Sequence, residues 1–420
     1  MKAQSIKLKS ITSKITKGTT PTTMGFDFID YGINFIKAEA LNGDSELDAE
    51  GFAYINDDAH NKLKRSILQK NDVLVTIAGV NIGKTGIVKQ KHLPANTNQA
   101  VGIVRIKPDL ASSVYIYYWF KNPLTFKHLQ NINAQAAQPN INLEMLGDLS
   151  LFLPNIQTQQ KIASTIFIYD ELINNNRRRI QLLEESARLL FREWFVYFRF
   201  PRLRQGFGGQ AGHEKACPVE SINSTGVKIV DGVPEGWEKG LFGGIAIVKK
   251  GKNITFEQAV DGDIPVVGGG LEPTYYHNKA NVSAPVITIS ASGANAGFVN
   301  MYDTDIWASD CSYIDKNSTK YIYSLYLRLK SLQTAIFGFQ VGAAQPHVYP
   351  RDLNRLKLLI APDNLCVQFE QLVTPIFNLI KNLKMQNQNL AQARDLLLPR
   401  LMSGAIDPIR YDKLSNGVEA

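Results

Sequence analysis

An apolar ladder that occurs twice constrains this chain more than any other feature. Residues Ile162, Ile166, Tyr169, Ile173, Asn176, Ile180, Leu183, Ala187, Leu190 and Trp194 follow one another at alternating spacings of four and three. Leu365, Phe369, Leu372, Ile376, Leu379, Leu383, Gln386, Leu390, Ala393 and Leu397 do the same. That alternation is a heptad seam, the pattern of a helix whose a and d positions face a partner helix. Sliding the first copy forward by 210 residues lays Ile166 on Ile376, Ile173 on Leu383, Ile180 on Leu390 and the lone polar rung Asn176 on Gln386. Matched rungs predict that the two helices pair with each other. Run antiparallel, they place Asn176 opposite Gln386, Leu190 against Leu372 and Ile162 near Arg400, with the polar rung fixing the register.

A chain of 420 residues exceeds what one hydrophobic core usually serves, so more than one domain is expected. Residues 1–155 read as a β-rich mixed globule, with runs such as Asp72-Val73-Leu74-Val75-Thr76-Ile77 and Gly102-Ile103-Val104-Arg105-Ile106 between Gly, Asn and Pro turns. A helix is expected over Val114–Gln130, its aromatic residues in the core. The first long helix occupies 156–200, with Thr158 as its expected N-cap. Residues 201–233 are rich in Gly, Gln and Ser without hydrophobic period and read as a linker. A second globule spans 234–362, the second long helix 363–405 and a tail 406–420. The globules echo one another. Lys17-Gly18 answers Lys250-Gly251, Gly86-Ile87-Val88 answers Gly297-Phe298-Val299, and Ala136-Ala137-Gln138-Pro139 answers Ala343-Ala344-Gln345-Pro346. The fold class is therefore α+β: two tandem mixed β-rich domains and two long antiparallel coiled-coil helices, arranged about a pseudo-twofold axis.

The chemistry of the chain is conspicuous for what it lacks. Cys217, Cys311 and Cys366 are too far apart in sequence for a disulfide framework or a paired metal site, which fits a reducing, cytoplasmic setting. No apolar run approaches the ~20 residues of a membrane helix. Ala78-Gly79-Val80-Asn81-Ile82-Gly83-Lys84-Thr85 matches a relaxed phosphate-loop pattern, but the mechanism needs a helix to begin at Lys84-Thr85. The β-branched stretch Gly86-Ile87-Val88 that follows predicts a hairpin instead. No acidic residue stands two places before a lysine, as a common metal-dependent nuclease requires, and no Asn/Asp-Pro-Pro-aromatic loop is present to grip a flipped adenine. A catalytic constellation, a metal site and a cofactor are not expected. The net charge of +8 favours a polyanionic partner, and residues 1–155, with 17 basic and 13 acidic side chains, carry more of it than 234–362, with 12 and 11.

The junction sequences carry a family resemblance. Ala136-Ala137-Gln138-Pro139-Asn140-Ile141 and Leu151-Phe152-Leu153-Pro154 precede the first helix, and Trp194-Phe195-Val196-Tyr197-Phe198 ends it. Gly212-His213-Glu214-Lys215, Val233-Pro234-Glu235-Gly236-Trp237-Glu238 and Leu396-Leu397-Leu398-Pro399-Arg400-Leu401-Met402-Ser403-Gly404-Ala405-Ile406-Asp407 complete the set. Together with the tandem of globule and heptad helix, these resemble the specificity subunit of type I restriction-modification enzymes. One departure is the insertion of Arg202–Ala211 between Pro201 and Gly212, which adjoin in that family.

The resemblance implies two target recognition domains, each reading one half of a split, asymmetric sequence in double-stranded DNA. It implies an antiparallel helical spacer that docks modification subunits, two of them, which carry the adenine-N6 methylation, with restriction subunits completing the complex. This chain would then supply recognition and no catalysis. A seam from Ile162 to Trp194 measures roughly 48 Å, on the order of 14 base pairs as an upper bound on half-site separation.

The side chains singled out for DNA contact are Lys14, Lys17, Thr19, Asn81, Lys84 and Asn98 in the first domain. In the second they are Lys249, Lys250, Lys252, Asn253, Asn295 and Gln340. Lys suits phosphates, and Asn and Gln suit adenine edges. The outer faces of the long helices and the tail Leu398–Ile406 are the expected docking surface. Two other classes stay open: a coiled-coil scaffold with no DNA role, and a nucleotide-binding protein through Ala78–Thr85.

Overall fold

A computed structural model describes residues 4–43, 46–79, 82–134, 140–200, 229–230, 233–342 and 346–408. Most of the linker, Ala136–Pro139 and the end of the tail lie outside the described residues. The first half runs β1 Gln4–Lys7, β2 Thr12–Lys17, β3 Ile33–Ile36, β4 Phe52–Ile55, α1 Asp57–Lys62, β5 Val73–Thr76, β6 Thr85–Ile87, β7 Ala95–Thr97 and β8 Val101–Ile106. It continues with α2 Ser113–Lys121, α3 Pro123–Ala134, α4 Leu143–Gly147, β9 Ser150–Leu153 and α5 Ile156–Phe195. The second half runs β10 Ile229–Val230, β11 Val233–Pro234, β12 Glu238–Leu241, β13 Lys249–Lys250, β14 Ile264–Val267, β15 Tyr275–His277, β16 Val286–Ser290 and β17 Val299–Tyr302. It ends with β18 Trp307–Ala308, β19 Cys311–Asp315, α6 Ile322–Ser331, α7 Gln333–Phe337, α8 Pro350–Asn354, β20 Lys357–Ile360 and α9 Asp363–Met402.

The two halves share one topology. The first has a sheet of order β2-β8-β5-β6, a second of order β4-β3-β7 and the pair β1-β9. The second has β13-β19-β16-β17, β15-β14-β18 and the pair β12-β20. Each three-stranded sheet contains one parallel pairing, β3 with β7 and β14 with β18. Strands β5 and β16 are β-branched runs buried at every position, as befits centres of sheets covered on both faces.

Contacts divide the chain into two units, residues 1–177 with 385–420, and residues 178–384. Each long helix contributes to both. In the first unit, Leu8, Val73, Val75, Val104, Tyr115 and Phe120 form a core that extends to Ile162 and Ile166 of α5 and to Leu398 and Leu401 of α9. The aromatic residues of α2 are buried there. The helix expected over Val114–Gln130 is two helices, because Pro123 has no N–H to continue α2 and instead opens α3, where Asn122 Oδ1 accepts the Leu124 N–H. Asn155 caps α5 by accepting the Thr158 N–H at 2.9 Å, so Thr158, expected in that role, lies within the helix and is buried.

Within the first unit α5 and α9 run antiparallel. The Arg394 guanidinium meets Asp170 at 2.7 Å, and at the polar rung, further along the pair, Asn176 Nδ2 donates to Gln386 Oε1 at 3.5 Å. Asp170 is a buried carboxylate that also accepts the Tyr118 hydroxyl at 2.9 Å and lies 3.8 Å from Lys121, both on α2. Removing one member of such a pair strands a charge in low dielectric. Arg394→Leu is expected to destabilise the unit by about 3–5 kcal/mol, read as a lower denaturant midpoint, and an unchanged midpoint would refute the assignment.

The second unit gathers Ala187, Phe191, Trp194 and Phe195 of α5 around Phe369, whose ring centroid lies 4.9 Å from Phe195 and 5.3 Å from Trp194. Tyr323 of α6 stacks on Phe377 at 4.5 Å. Here the expected seam is corrected. Leu372 and Leu379 are 43% and 38% exposed, and Val373, Phe377 and Ile380 hold the buried positions. Helix α9 packs against α6 as well as α5, which turns its apolar stripe away from a strict heptad line. Phe369, not Leu372, is therefore what this end of α5 meets. Of the remaining seam residues, Ile166, Ile173, Asn176 and Leu383 are buried, Ile180, Ile376 and Leu390 half-buried, and Gln386 exposed. In the tail, Leu398 and Leu401 are buried and Met402 and Ile406 pack on the first unit's core, while Arg400, Ser403, Gly404 and Ala405 are exposed.

His92 is buried, with Nδ1 accepting the Lys89 N–H at 3.0 Å and Nε2 4.0 Å from Glu46. Burial, aided by Lys91, pushes its pKa down to about 4 from 6.5. The folded state thus disfavours a proton that the unfolded chain accepts. The contribution, at most ~3 kcal/mol, is complete above pH ~6.5 and is lost as the pH falls towards about 4. His92→Asn should flatten that limb of a stability-versus-pH curve; a limb of unchanged slope would show that other groups govern it.

Candidate nucleic-acid interface

One end of each four-stranded sheet collects the loops that the sequence singled out. In the first unit Lys17 pairs with Gly102, Gly102 with Val75, and Val75 with Thr85. The exit of β2, the entry to β8 and the β5–β6 turn therefore leave the sheet together. In the second unit Lys250 pairs with Ser312, Ser312 with Ile289, and Ile289 with Val299, bringing together the exit of β13, the entry to β19 and the β16–β17 turn.

Two glycine devices shape both ends. A Cβ on Gly18 would sit 1.9 Å from the Thr97 carbonyl oxygen, and one on Gly251 2.2 Å from that of Ser309. Only glycine lets the chain cross there, which gives the repeated Lys-Gly its meaning. The turns carry Gly79 and Gly83 at φ +88° and +85°, and Gly293 and Gly297 at +81° and +86°. In each, the second glycine donates to the strand it leaves, Gly83 to Thr76 O and Gly297 to Ser290 O, both at 2.8 Å. A phenylalanine packs on that glycine, Phe126 or Phe337. A glutamine amide closes the turn, Gln130 donating to Ile82 O and Gln340 to Ala296 O. Gly83 thus answers Gly297, and the Gly86 expected in that place lies three residues further on, within β6 opposite Leu74.

The singled-out residues divide by what their side chains already do. Lys249 is committed to Asp315 at 2.9 Å, and Gln340 to the Ala296 carbonyl, so both act within the fold. Burial opposes ionisation of Asp315, yet the Ser318 hydroxyl and Lys249 hold its carboxyl below the usual range. Lys14 donates to Arg65 O at 3.2 Å, Asn98 Oδ1 accepts the Ala100 N–H at 3.2 Å, and Asn253 Oδ1 accepts the Ser309 hydroxyl at 3.0 Å. Lys250 and Lys252 are exposed, and Lys17, Thr19, Lys84 and Asn295 are half-buried. Lys17, Lys84, Lys250 and Lys252 have no side-chain partner among the described residues. Asn81 lies outside them. The phosphate-loop look-alike is a turn, because Thr85 opens β6 and no helix starts there.

Two residues at the same end escaped the sequence reading. Exposed Arg65 donates to Lys17 O at 3.2 Å, and Gln99 accepts the Thr20 N–H at 3.2 Å. The basic run Lys62, Lys64, Arg65 was the available signal for the first. Among the described residues no group of His, Cys, Asp and Glu could hold a metal ion, and no helix is long and apolar enough to cross a membrane.

The model of the type I restriction modification DNA specificity domain matches residues 2–185 and again 234–389. The MjaIX type I specificity subunit of Methanocaldococcus jannaschii is 26% identical over 425 residues, covering 95% of this chain and 92% of its own length. The HindI specificity subunit of Haemophilus influenzae is 25% identical over 334 residues, 64% of this chain and 71% of that one. In fold, a crystal structure of the type I S subunit from M. genitalium aligns with TM-score 0.59 at 16% identity, covering 96% of each chain. With two copies of the specificity domain on one topology, the chain belongs to the family of type I restriction-modification DNA specificity subunits, the non-catalytic recognition components of these systems.

Proposed function

We propose that each unit reads one half of a split, asymmetric DNA sequence through the sheet end described above. The observation that carries this is a shared frame with unlike chemistry. Both units have the Lys-Gly crossing and the glycine turn, but Lys84 in one is answered by Phe298 in the other, and Asn98 by the Ser309 region. A common frame suits duplex geometry, and differing side chains suit different bases. Residues 1–155 and 234–362 would be the recognition domains, 156–200 and 363–405 the spacer, and 201–233 the link between them.

The partners proposed for the helices are two modification subunits, joined in the full complex by restriction subunits, acting on cytoplasmic DNA. Support comes from apolar side chains left in solvent on α5, Ile168 and Leu172 in the first unit, at 58% and 45% exposed, and Leu182 and Leu189 in the second, at 50% and 46%. The test is to map methylated adenines after reconstitution with the modification subunit. A two-part motif is expected, and a contiguous one would overturn the reading.

Phosphate neutralisation should give steep salt dependence. Lys250→Gln with Lys252→Gln is expected to weaken binding about equally on all sequences and to lower the salt slope by up to roughly 2. Loss of discrimination at unchanged salt slope would assign these lysines to bases instead.

A further inference from the structure

The second unit contains a cavity of about 650 Å³ between α5, α6 and the start of α9, lined by Phe191, Phe195, Ser324, Arg328, Ala361 and Cys366 among others. Its origin shows in the first unit. Taking the N-caps Ser112 and Tyr321 as equivalent places Tyr115 at Ser324 and Trp119 at Arg328. Strands β9 and β20 correspond at an offset of 207 residues, so the Phe152 carbonyl answers that of Leu359. In the first unit the Tyr115 hydroxyl donates to Phe152 O at 3.1 Å, and Tyr115 and Trp119 are buried in the core.

In the second unit a serine stands where the tyrosine would be, its hydroxyl given to Glu370 at 2.6 Å. Arg328, one turn further on, reaches the Leu359 carbonyl at 2.5 Å. Two aromatic side chains of the first unit are thus replaced, Tyr115 by a serine and Trp119 by an arginine, and a guanidinium stands in the space. That guanidinium lies over the rings of Phe191 and Phe195, 5.9 and 5.5 Å from their centroids, with no carboxylate paired to it among the described residues. Burial makes its charged form harder to hold. Lys316 and Lys320 also line the cavity, and of its two acids Asp363 is engaged by the Tyr321 hydroxyl while Glu238 is exposed.

We propose that this cavity binds a small organic anion, a phosphate monoester or carboxylate whose head pairs with Arg328 and whose apolar body lies along Ile245, Leu325 and Ile360. The volume is that of a small-molecule site, and its lining joins an apolar wall to polar groups that include the cations Arg328, Lys316 and Lys320, a composition suited to an organic anion. A guanidinium fork suits either oxyanion in two-point contact. The site does not depend on the DNA reading above.

The test is titration of the full chain with phenyl phosphate, phenylacetate and neutral 2-phenylethanol, followed by the fluorescence of Trp194 and Trp237, which lie in the same apolar cluster. Saturable binding is expected for at least one anion, tighter than the alcohol by roughly tenfold or more, and the tighter anion names the head group. Arg328→Met should abolish the preference, and Ser324→Tyr should refill the space and abolish binding. If Ser324→Tyr does not fold, Arg328→Met carries the test alone. No saturable binding by either anion, equal binding of the alcohol, or an unaltered preference in Arg328→Met would each overturn the proposal.

Discussion

Exchanging residues 234–362 for the corresponding segment of a relative with another target is expected to replace one half of the methylated sequence and leave the other half as it was. The physical basis is that each unit owns its core. Phe242, Ile287, Ile314 and Leu329 pack together in the second, and Val75, Val104, Tyr118 and Phe120 in the first. Among the described residues no sheet combines strands from both halves. A graft must still seat on α9, where Glu370 accepts the Tyr323 and Ser324 amides at 3.0 and 2.9 Å and Phe377 stacks on Tyr323. A donor lacking an aromatic residue at 323 should therefore fold poorly whatever it reads. Methylated-adenine mapping gives the answer directly. If both halves of the motif changed, the two units would form one composite site, and the tandem reading would fail.

What the sequence could not supply was the phase of its own repeat. A seam of alternating threes and fours looks much the same after a slip of three, so the apolar positions fit an offset of 210 as well as 207. The non-helical elements decide it, since β9 and β20, and α4 and α8, correspond at 207. At that offset Ile162, Ile166, Asp170, Ile173 and Asn176 fall on Phe369, Val373, Phe377, Ile380 and Leu383, all of them buried. Asn176 and Gln386 touch across the helix pair, but they are not copies of one another. The deeper asymmetry lies at Asp170 and Phe377. The first unit docks α5 on a tyrosine and a lysine through a buried carboxylate, the second docks α9 through stacked rings, and no helical periodicity distinguishes the two.

The candidate contacts show a second limit. Residue type and turn position found the right end of each sheet, because Lys-Gly and the paired glycines are demanded by backbone geometry that the sequence must satisfy locally. Whether a side chain there is available depends on partners far away in sequence. Lys249 is taken by Asp315 and Gln340 by Ala296 O, across 66 and 44 residues, and neither pairing leaves a local trace.

Deleting residues 177–183 together with 379–385, seven from each long helix, is expected to keep both half-sequences and shorten the gap between them by up to about 3 base pairs. The deletion removes roughly 10 Å of helix. It spares the Asp170–Arg394 pair and the Asn176–Gln386 rung, and it takes one whole heptad from each side, so the seam on either flank rejoins in phase to within ~20°. The duplex is less forgiving. A shift of 3 base pairs turns the second half-site by roughly 100° about the DNA axis, so the shortened protein must twist or bend its target to engage both halves, at a cost of order 1–6 kcal/mol. Methylation should therefore persist at a motif with a narrower gap but at distinctly lower affinity, and longer, more flexible steps in the gap should be favoured. Altered base identity at an unchanged gap would mean that the helices contribute to reading the sequence rather than to spacing its halves.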